Sequence, residues 1–167
     1  AKDGALIWLK HLAPNGPKFP DVDASPVHIN GTVYAASVGG GLFALDAVTG
    51  KERWAIPIMG IVSLGRFDDD LIAGFNDGQL MRYDVYNKKK RWQSRFGKFV
   101  GTPSPPMSFA WYCIVGFSSG PLYWLDGRTG RPVQHFKAGP GFFAPPRVTA
   151  EGSVYAVSNG GVVYAFQ

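Results

Sequence analysis

The sequence predicts an all-β chain, a β-propeller of four blades with four antiparallel strands to a blade, and three observations carry that prediction. The first is local. In Gly31 to Trp54, Val33, Ala35 and Ser37 alternate with Tyr34, Ala36 and Val38, Gly39-Gly40-Gly41 turns the chain, Leu42 to Asp46 makes a second apolar run, and Thr49-Gly50 turns it again into Lys51 to Trp54. Short alternating runs joined by Gly-rich turns read as strands in hairpins. The second is repetition. The pattern returns at Leu71–Phe75 with Asp77-Gly78, Tyr83-Asp84 and Trp92, again from Cys113 through Gly120 and Leu125-Asp126 to Thr129-Gly130, and again at Val154–Ser158 with Gly161, Val163, Tyr164 and Phe166. Gly40, Gly78, Gly120 and Gly161 set a period of roughly 40 residues, that of a four-stranded blade. The third is what is missing: no window sustains apolar residues at helical spacing.

Taken in order, Asp3-Gly4-Ala5-Leu6-Ile7-Trp8 aligns with Thr49-Gly50-Lys51-Glu52-Arg53-Trp54, so residues 5–12 read as the last strand of a blade. His11 to Asp23 follows, with Pro14, Asn15-Gly16, Pro17 and Pro20 excluding regular structure until Asp21-Val22-Asp23. Complete blades are expected at 24–58, 61–96 and 102–137, and residues 144–166 supply the first three strands of the closing blade. The termini therefore complement each other, as in propellers whose ends share one sheet so that neither leaves an open edge. Closure is possible within one chain as a four-bladed ring. It is also possible between two chains, each N-terminal strand completing the other's last blade in an eight-bladed homodimer, and this second arrangement is the one expected.

Three irregular segments, His11–Asp23, Gly97–Met107 with Pro103, Pro105 and Pro106, and Gly139–Arg147 with Phe142-Phe143, emerge on one face of the disc by strand order. Loops longer than a connection needs are where scaffolds carry function. Phe142 and Phe143 are candidate exposed anchors there, the alternative being plugs between blades.

The formal charge is +5, and the one dense basic run is Lys88-Lys89-Lys90-Arg91. It falls in a turn of the blade that also carries Asp68-Asp69-Asp70, so the two runs should partly neutralise each other, leaving polyanion binding as a lesser alternative. Cys113 is the single cysteine, placed in a strand, which excludes an internal disulfide. No apolar run reaches the length of a membrane-spanning helix. The first residues resemble neither a signal peptide nor a lipidation motif and begin without Met, so a processed form or a fragment is expected.

Catalytic chemistry finds no footing. His11, His28 and His135 lie in different units, and there is no HxxxH, CxxC or G-x-S-x-G. Carboxylates cluster only as Asp21/Asp23 and Asp68–Asp70, in turns. Asp46, Asp84 and Asp126 recur once per blade before a turn, which marks architecture, the capping of turn amides. No catalytic residue, metal site or cofactor is assigned.

The segment Ala44 to Trp54, A-L-D-A-V-T-G-K-E-R-W, resembles the repeat named after pyrroloquinoline quinone. The resemblance implies that Trp8, Trp54 and Trp92 dock between blades, with Gln134 in that place in the third unit. It also raises a quinone-dependent dehydrogenase as an alternative, although the vicinal cystine of those enzymes has no counterpart here. Over nearly its whole length the chain resembles the C-terminal half of the BamB family, on Ile7-Trp8, Asp21 to Val27, Gly31 to Tyr34, Ala44-Leu45-Asp46 and Gly161 to Phe166. That resemblance implies a periplasmic, outer-membrane-associated lipoprotein that is not an enzyme. It further implies that Asp21 and Asp23 lie on the face that meets the POTRA domains of BamA.

Overall fold

A computed structural model describes residues 3–12, 22, 24–97 and 100–167, and organises them into four antiparallel sheets. Blade one is the meander β1 (Val27–Ile29), β2 (Thr32–Ser37), β3 (Gly41–Asp46) and β4 (Glu52–Ile56). Blade two repeats it as β5 (Ile61–Phe67), β6 (Asp70–Phe75), β7 (Gln79–Asp84) and β8 (Lys89–Arg95). Blade three is β9 (Met107–Phe109), β10 (Tyr112–Gly116), β11 (Leu122–Asp126) and β12 (Pro132–Phe136). Blade four has three strands, β13 (Arg147–Val148), β14 (Val154–Val157) and β15 (Val163–Phe166).

The core lies between the sheets. Tyr34, Ala36, Leu42 and Ala44 of blade one meet Ile61, Leu64, Leu71 and Ala73 of blade two in one cluster. Phe67, Ile72 and Leu80 meet Cys113, Val115 and Leu125 in a second, and Ile114, Leu122 and Trp124 meet Val154 and Ala156 in a third. Middle strands are thus apolar on both faces, which is why β2, β3 and β6 read as nearly continuous hydrophobic runs.

Each complete blade carries a register shift at one place in its outer pair, at Ala44/Leu45, Arg82/Tyr83 and Trp124/Leu125. An extra residue there sharpens the local twist just before the turn. The turn itself is built by the repeated aspartate. Asp46 Oδ1 accepts from the Val48 and Thr49 amides at 3.1 and 2.8 Å, Asp84 Oδ1 from Tyr86 and Asn87 at 3.0 and 2.9 Å, and Asp126 Oδ1 from Arg128 and Thr129 at 2.8 and 3.0 Å.

The tryptophans use these turns as sockets. Trp92 Nε1 donates to the Gly127 carbonyl at 2.8 Å and its ring covers Gly130, where an added Cβ would fall 2.6 Å from the indole. Trp8 repeats this on blade one, donating to the Ala47 carbonyl at 3.1 Å and covering Gly50, where a Cβ would also fall 2.6 Å from the ring. Trp54 behaves differently. The third member of the glycine series is Lys88, held at φ 54° with a Cβ in the way, and Trp54 instead packs on Tyr34 and Tyr83 at centroid distances of 5.7 and 6.3 Å, with the Lys88 ammonium 5.9 Å above it.

The N-terminal strand expected at 5–12 pairs with no sheet among the described residues. Its segment is nevertheless positioned, by Trp8 and by a Lys10–Glu52 ion pair at 3.2 Å, beside blade one. That is where the outer strand of a preceding blade would run, since Trp92 of β8 stands in the same relation to blade three.

Candidate functional site

Among the described residues, strand polarity sends the connections between blades and the turns between the second and third strands to one face. The pairings Ser37↔Gly41 and Leu42↔Ile56 put the end of β4 beside the β2–β3 turn, and the chain crosses from there to the next blade. Backbone hydrogen bonds fasten the crossing segments to those turns. Gly60 N donates to Val38 O and Gly60 O accepts from Asn76 N, both at 2.8 Å, joining the turns of blades one and two. Ser118 N and Ser119 N donate to Thr102 O and Val100 O, each at 2.9 Å, and Phe142 N donates to Phe117 O at 2.7 Å. Satisfied in this way, irregular backbone is held by partners on both sides.

Asn159, in the β14–β15 turn, is the densest knot. Its backbone N–H donates to Gly141 O at 2.9 Å, its side-chain amide donates to Ser118 O at 2.7 Å and Pro140 O at 3.1 Å, and its Oδ1 accepts from Phe143 N at 3.0 Å. Sequence reasoning missed it. The available signal was an amide side chain at the head of a Gly-Gly turn, a place where Asx side chains bond neighbouring backbone.

Phe142 and Phe143, paired as candidate anchors, are split by this knot. Phe143 is 66% exposed, whereas Phe142 is 0% exposed, and the anchor reading of Phe142 is corrected accordingly. It plugs the third cluster against Phe136 and Tyr164, and Gly116 is required beneath it because a Cβ there would lie 2.6 Å from the Phe142 Cβ. Asp21 and Asp23 lie outside the described residues. Their neighbour Val22 is exposed and Ala24 is buried.

On the same face a cavity of about 590 Å³ opens where the first segments of all four blades converge, lined by Ser25, Val62, Thr102, Ser104, Phe143 and Pro145 among others. Among the described residues its walls are small and apolar, with hydroxyls and no charged side chain. Among the described residues no cluster of His, Cys, Asp and Glu side chains is placed to hold a metal ion. Cys113 is buried, and burial pushes its thiol pKa up to about 12, so it stays protonated and unreactive.

The charge runs meet at the opposite end of blade two. Asp70, buried at the start of β6, accepts from Arg82 Nε at 2.6 Å and Arg91 Nε at 2.5 Å. Arg91 also reaches Asp84 at 2.9 Å, and Arg82 donates to the Gly127 carbonyl at 2.9 Å with its guanidinium 4.5 Å from the Phe67 ring centroid. Neutralisation between the two runs, read from their shared blade, takes this form. Arg91 belongs to the fold, and Lys88, Lys89 and Lys90 remain at the surface.

A family model described as outer membrane protein assembly factor BamB matches residues 1–94. Among curated proteins, the outer membrane protein assembly factors BamB of Yersinia pestis and Salmonella typhimurium are each 29% identical to the chain, over 99% and 98% of it. That of Escherichia coli K12 is 25% identical over 98%. The chain spans 43% of the length of each of these relatives. Of solved structures, BamB from Moraxella catarrhalis superposes with a TM-score of 0.75 at 24% identity, covering 88% of this chain and 43% of that one. The computationally designed Ika4 protein superposes with a TM-score of 0.74 at 13% identity, covering 91% of this chain and 93% of that one. At these identities the structural likenesses speak for the fold.

Proposed function

This chain belongs to the family of outer membrane protein assembly factor BamB, a family of PQQ-repeat propellers, and from that premise we propose that it is a non-enzymatic adaptor whose inter-blade loop face binds a protein. The observation that carries the proposal is the combination on that face of fastened backbone with an exposed aromatic, Phe143, at the rim of an apolar cavity. A surface already fixed in its bound shape loses little conformational entropy on docking, and aromatic anchors dominate such interfaces.

By family resemblance the partner is the POTRA region of a BamA-like protein, and the setting is the periplasmic side of the outer membrane. Asp21 and Asp23 would meet basic groups of that partner. An exposed ion pair contributes about 0–1 kcal/mol, so the acids would orient the complex and the aromatic would supply more of its affinity. The proposed working unit is two copies of the chain sharing one ring.

The test is binding of this chain to immobilised POTRA domains, followed by interferometry. Phe143→Ala should weaken binding about tenfold or more, and Asp21→Asn with Asp23→Asn should lower it a few-fold and flatten its salt dependence. Binding unchanged in both variants would overturn the assignment of this face. The quinone-dehydrogenase alternative predicts heat when pyrroloquinoline quinone and calcium are titrated together into the protein. The adaptor reading predicts none.

A further inference from the structure

The end of the disc opposite the loop face carries, in blades one to three, the turns between first and second strands and between third and fourth strands. Neighbouring turns are bonded to one another there. Gly31 O accepts from Ala47 N at 3.0 Å, and Trp111 O accepts from Gly127 N at 2.8 Å. Asn30 Nδ2 crosses from blade one to blade two, donating to Asp69 Oδ1 at 3.1 Å and to the Tyr86 hydroxyl at 2.7 Å. Together with the aspartate caps inside each turn, these bonds make this end a built surface.

Its charge is one-sided. Asp46, Asp70 and Asp84 are paired with Arg53, Arg82 and Arg91, Asp69 with Arg66, and Glu52 with Lys10. Lys51, Lys88, Lys89, Arg128 and Arg131 are exposed, and among the described residues none of them has a carboxylate within 4 Å. Asp126 is spent on turn amides, which leaves Glu151 as the exposed acid nearby without an ion pair.

Large apolar side chains sit among these cations. Val48, Tyr86 and Trp111 are 76%, 64% and 58% exposed. Val48 and Tyr86 occupy the same place in their turns, two residues after Asp46 and Asp84, and in blade three that place is taken by Arg128, with Trp111 in the turn bonded beside it. Each of three blades thus raises one apolar side chain at its tip, with a cation in the same or the bonded turn. Nucleic-acid bases would stack on the two aromatic rings and gain nothing from Val48. A protein would need a separate matching pocket for each tip. At a bilayer with anionic lipids, headgroup phosphates attract the cations, and the boundary between headgroups and acyl chains accepts apolar and amphipathic side chains of any shape.

We propose that this end of the propeller rests on the surface of an anionic lipid bilayer, its lysines and arginines meeting headgroup phosphates while Trp111, Tyr86 and Val48 enter the headgroup layer. The contact is peripheral, and no strand crosses the bilayer. It concerns the end opposite the loop face and stands whatever that face binds.

The test sediments the chain with vesicles of phosphatidylcholine containing phosphatidylglycerol and with vesicles of phosphatidylcholine alone. The chain should pellet with the first and not the second, and rising salt should release it. Trp8, Trp54, Trp92 and Trp124 are buried or half-buried, so lipids brominated near the headgroup end of the acyl chain should quench the fluorescence of the parent and leave that of Trp111→Phe unchanged. Lys51→Glu with Arg128→Glu should lower vesicle binding about tenfold or more, and Lys137→Glu, exposed at the other end of blade three, should leave it as it is. Equal pelleting with both vesicle types, pelleting with neither, or an unquenched parent would overturn the proposal; the quenching is read on the parent and does not depend on a variant folding. Retention on heparin without vesicle binding would also overturn it, assigning this end to a soluble polyanion.

Discussion

Gly50 and Gly130 hold φ of 69° and 70°, and each lies under an indole where any other residue would place a Cβ. Gly50→Ala or Gly130→Ala should cost roughly 2 kcal/mol, the left-handed backbone supplying about half and the displaced ring the rest, as read by urea denaturation. Lys88 is the converse. It already carries that backbone strain at φ 54°, so Lys88→Gly should stabilise the chain by up to about 1 kcal/mol and change the fluorescence of Trp54 as a socket opens for it. The docking role expected for Trp8, Trp54 and Trp92 from the repeat thus takes its socket form at Trp8 and Trp92, and the reason Trp54 departs was present in the letters: Asp-Val-Tyr-Asn-Lys stands where the other turns read Asp-Ala-Val-Thr-Gly and Asp-Gly-Arg-Thr-Gly. The turn aspartates also set a pH response. The Arg53 guanidinium and the Thr49 amide hold Asp46 well below the usual carboxylate range, and backbone amides of Asn87 and Arg128 lower Asp84 and Asp126. A carboxylate depressed in the folded state is protonated first in the unfolded one, so its stabilisation is present above the ordinary pKa near 4 and is lost as pH falls below it. The melting midpoint should therefore be level from about pH 7 to 5 and fall below about pH 4, and Asp126→Asn should make that fall shallower.

Between elements, the strongest single prediction concerns the ion cluster by which Asp70 of β6 holds Arg82 of β7 and Arg91 of β8. Asp70 is the shared acceptor of Arg82 and Arg91, and Arg82 is buried against Phe67 and the turn of blade three. Asp70→Ala removes the buried counter-charge of Arg82, leaving only the exposed Asp68 carboxylate at 3.7 Å, and should cost about 3–5 kcal/mol in chemical denaturation, far more than Asp69→Ala at an exposed pair. The sheets themselves were legible because alternation, Gly-rich turns and the recurring Asp are enforced by local physics in each unit. Phe142 was not legible, since a Phe-Phe doublet must expose one ring and the choice is made by Asn159 and Gly116, which are distant in sequence. The segment 5–12 is placed by Trp8, but the strand expected there pairs with no sheet among the described residues, because a strand's hydrogen bonds come from its neighbour and no local residue supplies them.

For the whole molecule, the proposed ring of two copies would link stability to concentration. Melting midpoints measured over a hundredfold range of protein should then rise with concentration. The face that sequence order placed on one side of the disc is the face the backbone bonds fasten, whereas Asp21 and Asp23 are known as candidates from sequence alone. The indole of Trp8 has one more consequence, for the route by which the ring is made. By seating residues 5–10 on blade one, it would, in the proposed two-copy ring, let each chain complete blades one to three in a first-order process and then present a ready-oriented strand to its partner. Closure of that ring would be a second-order step between two prepared surfaces, and removing the indole should slow that encounter even where the finished ring still holds.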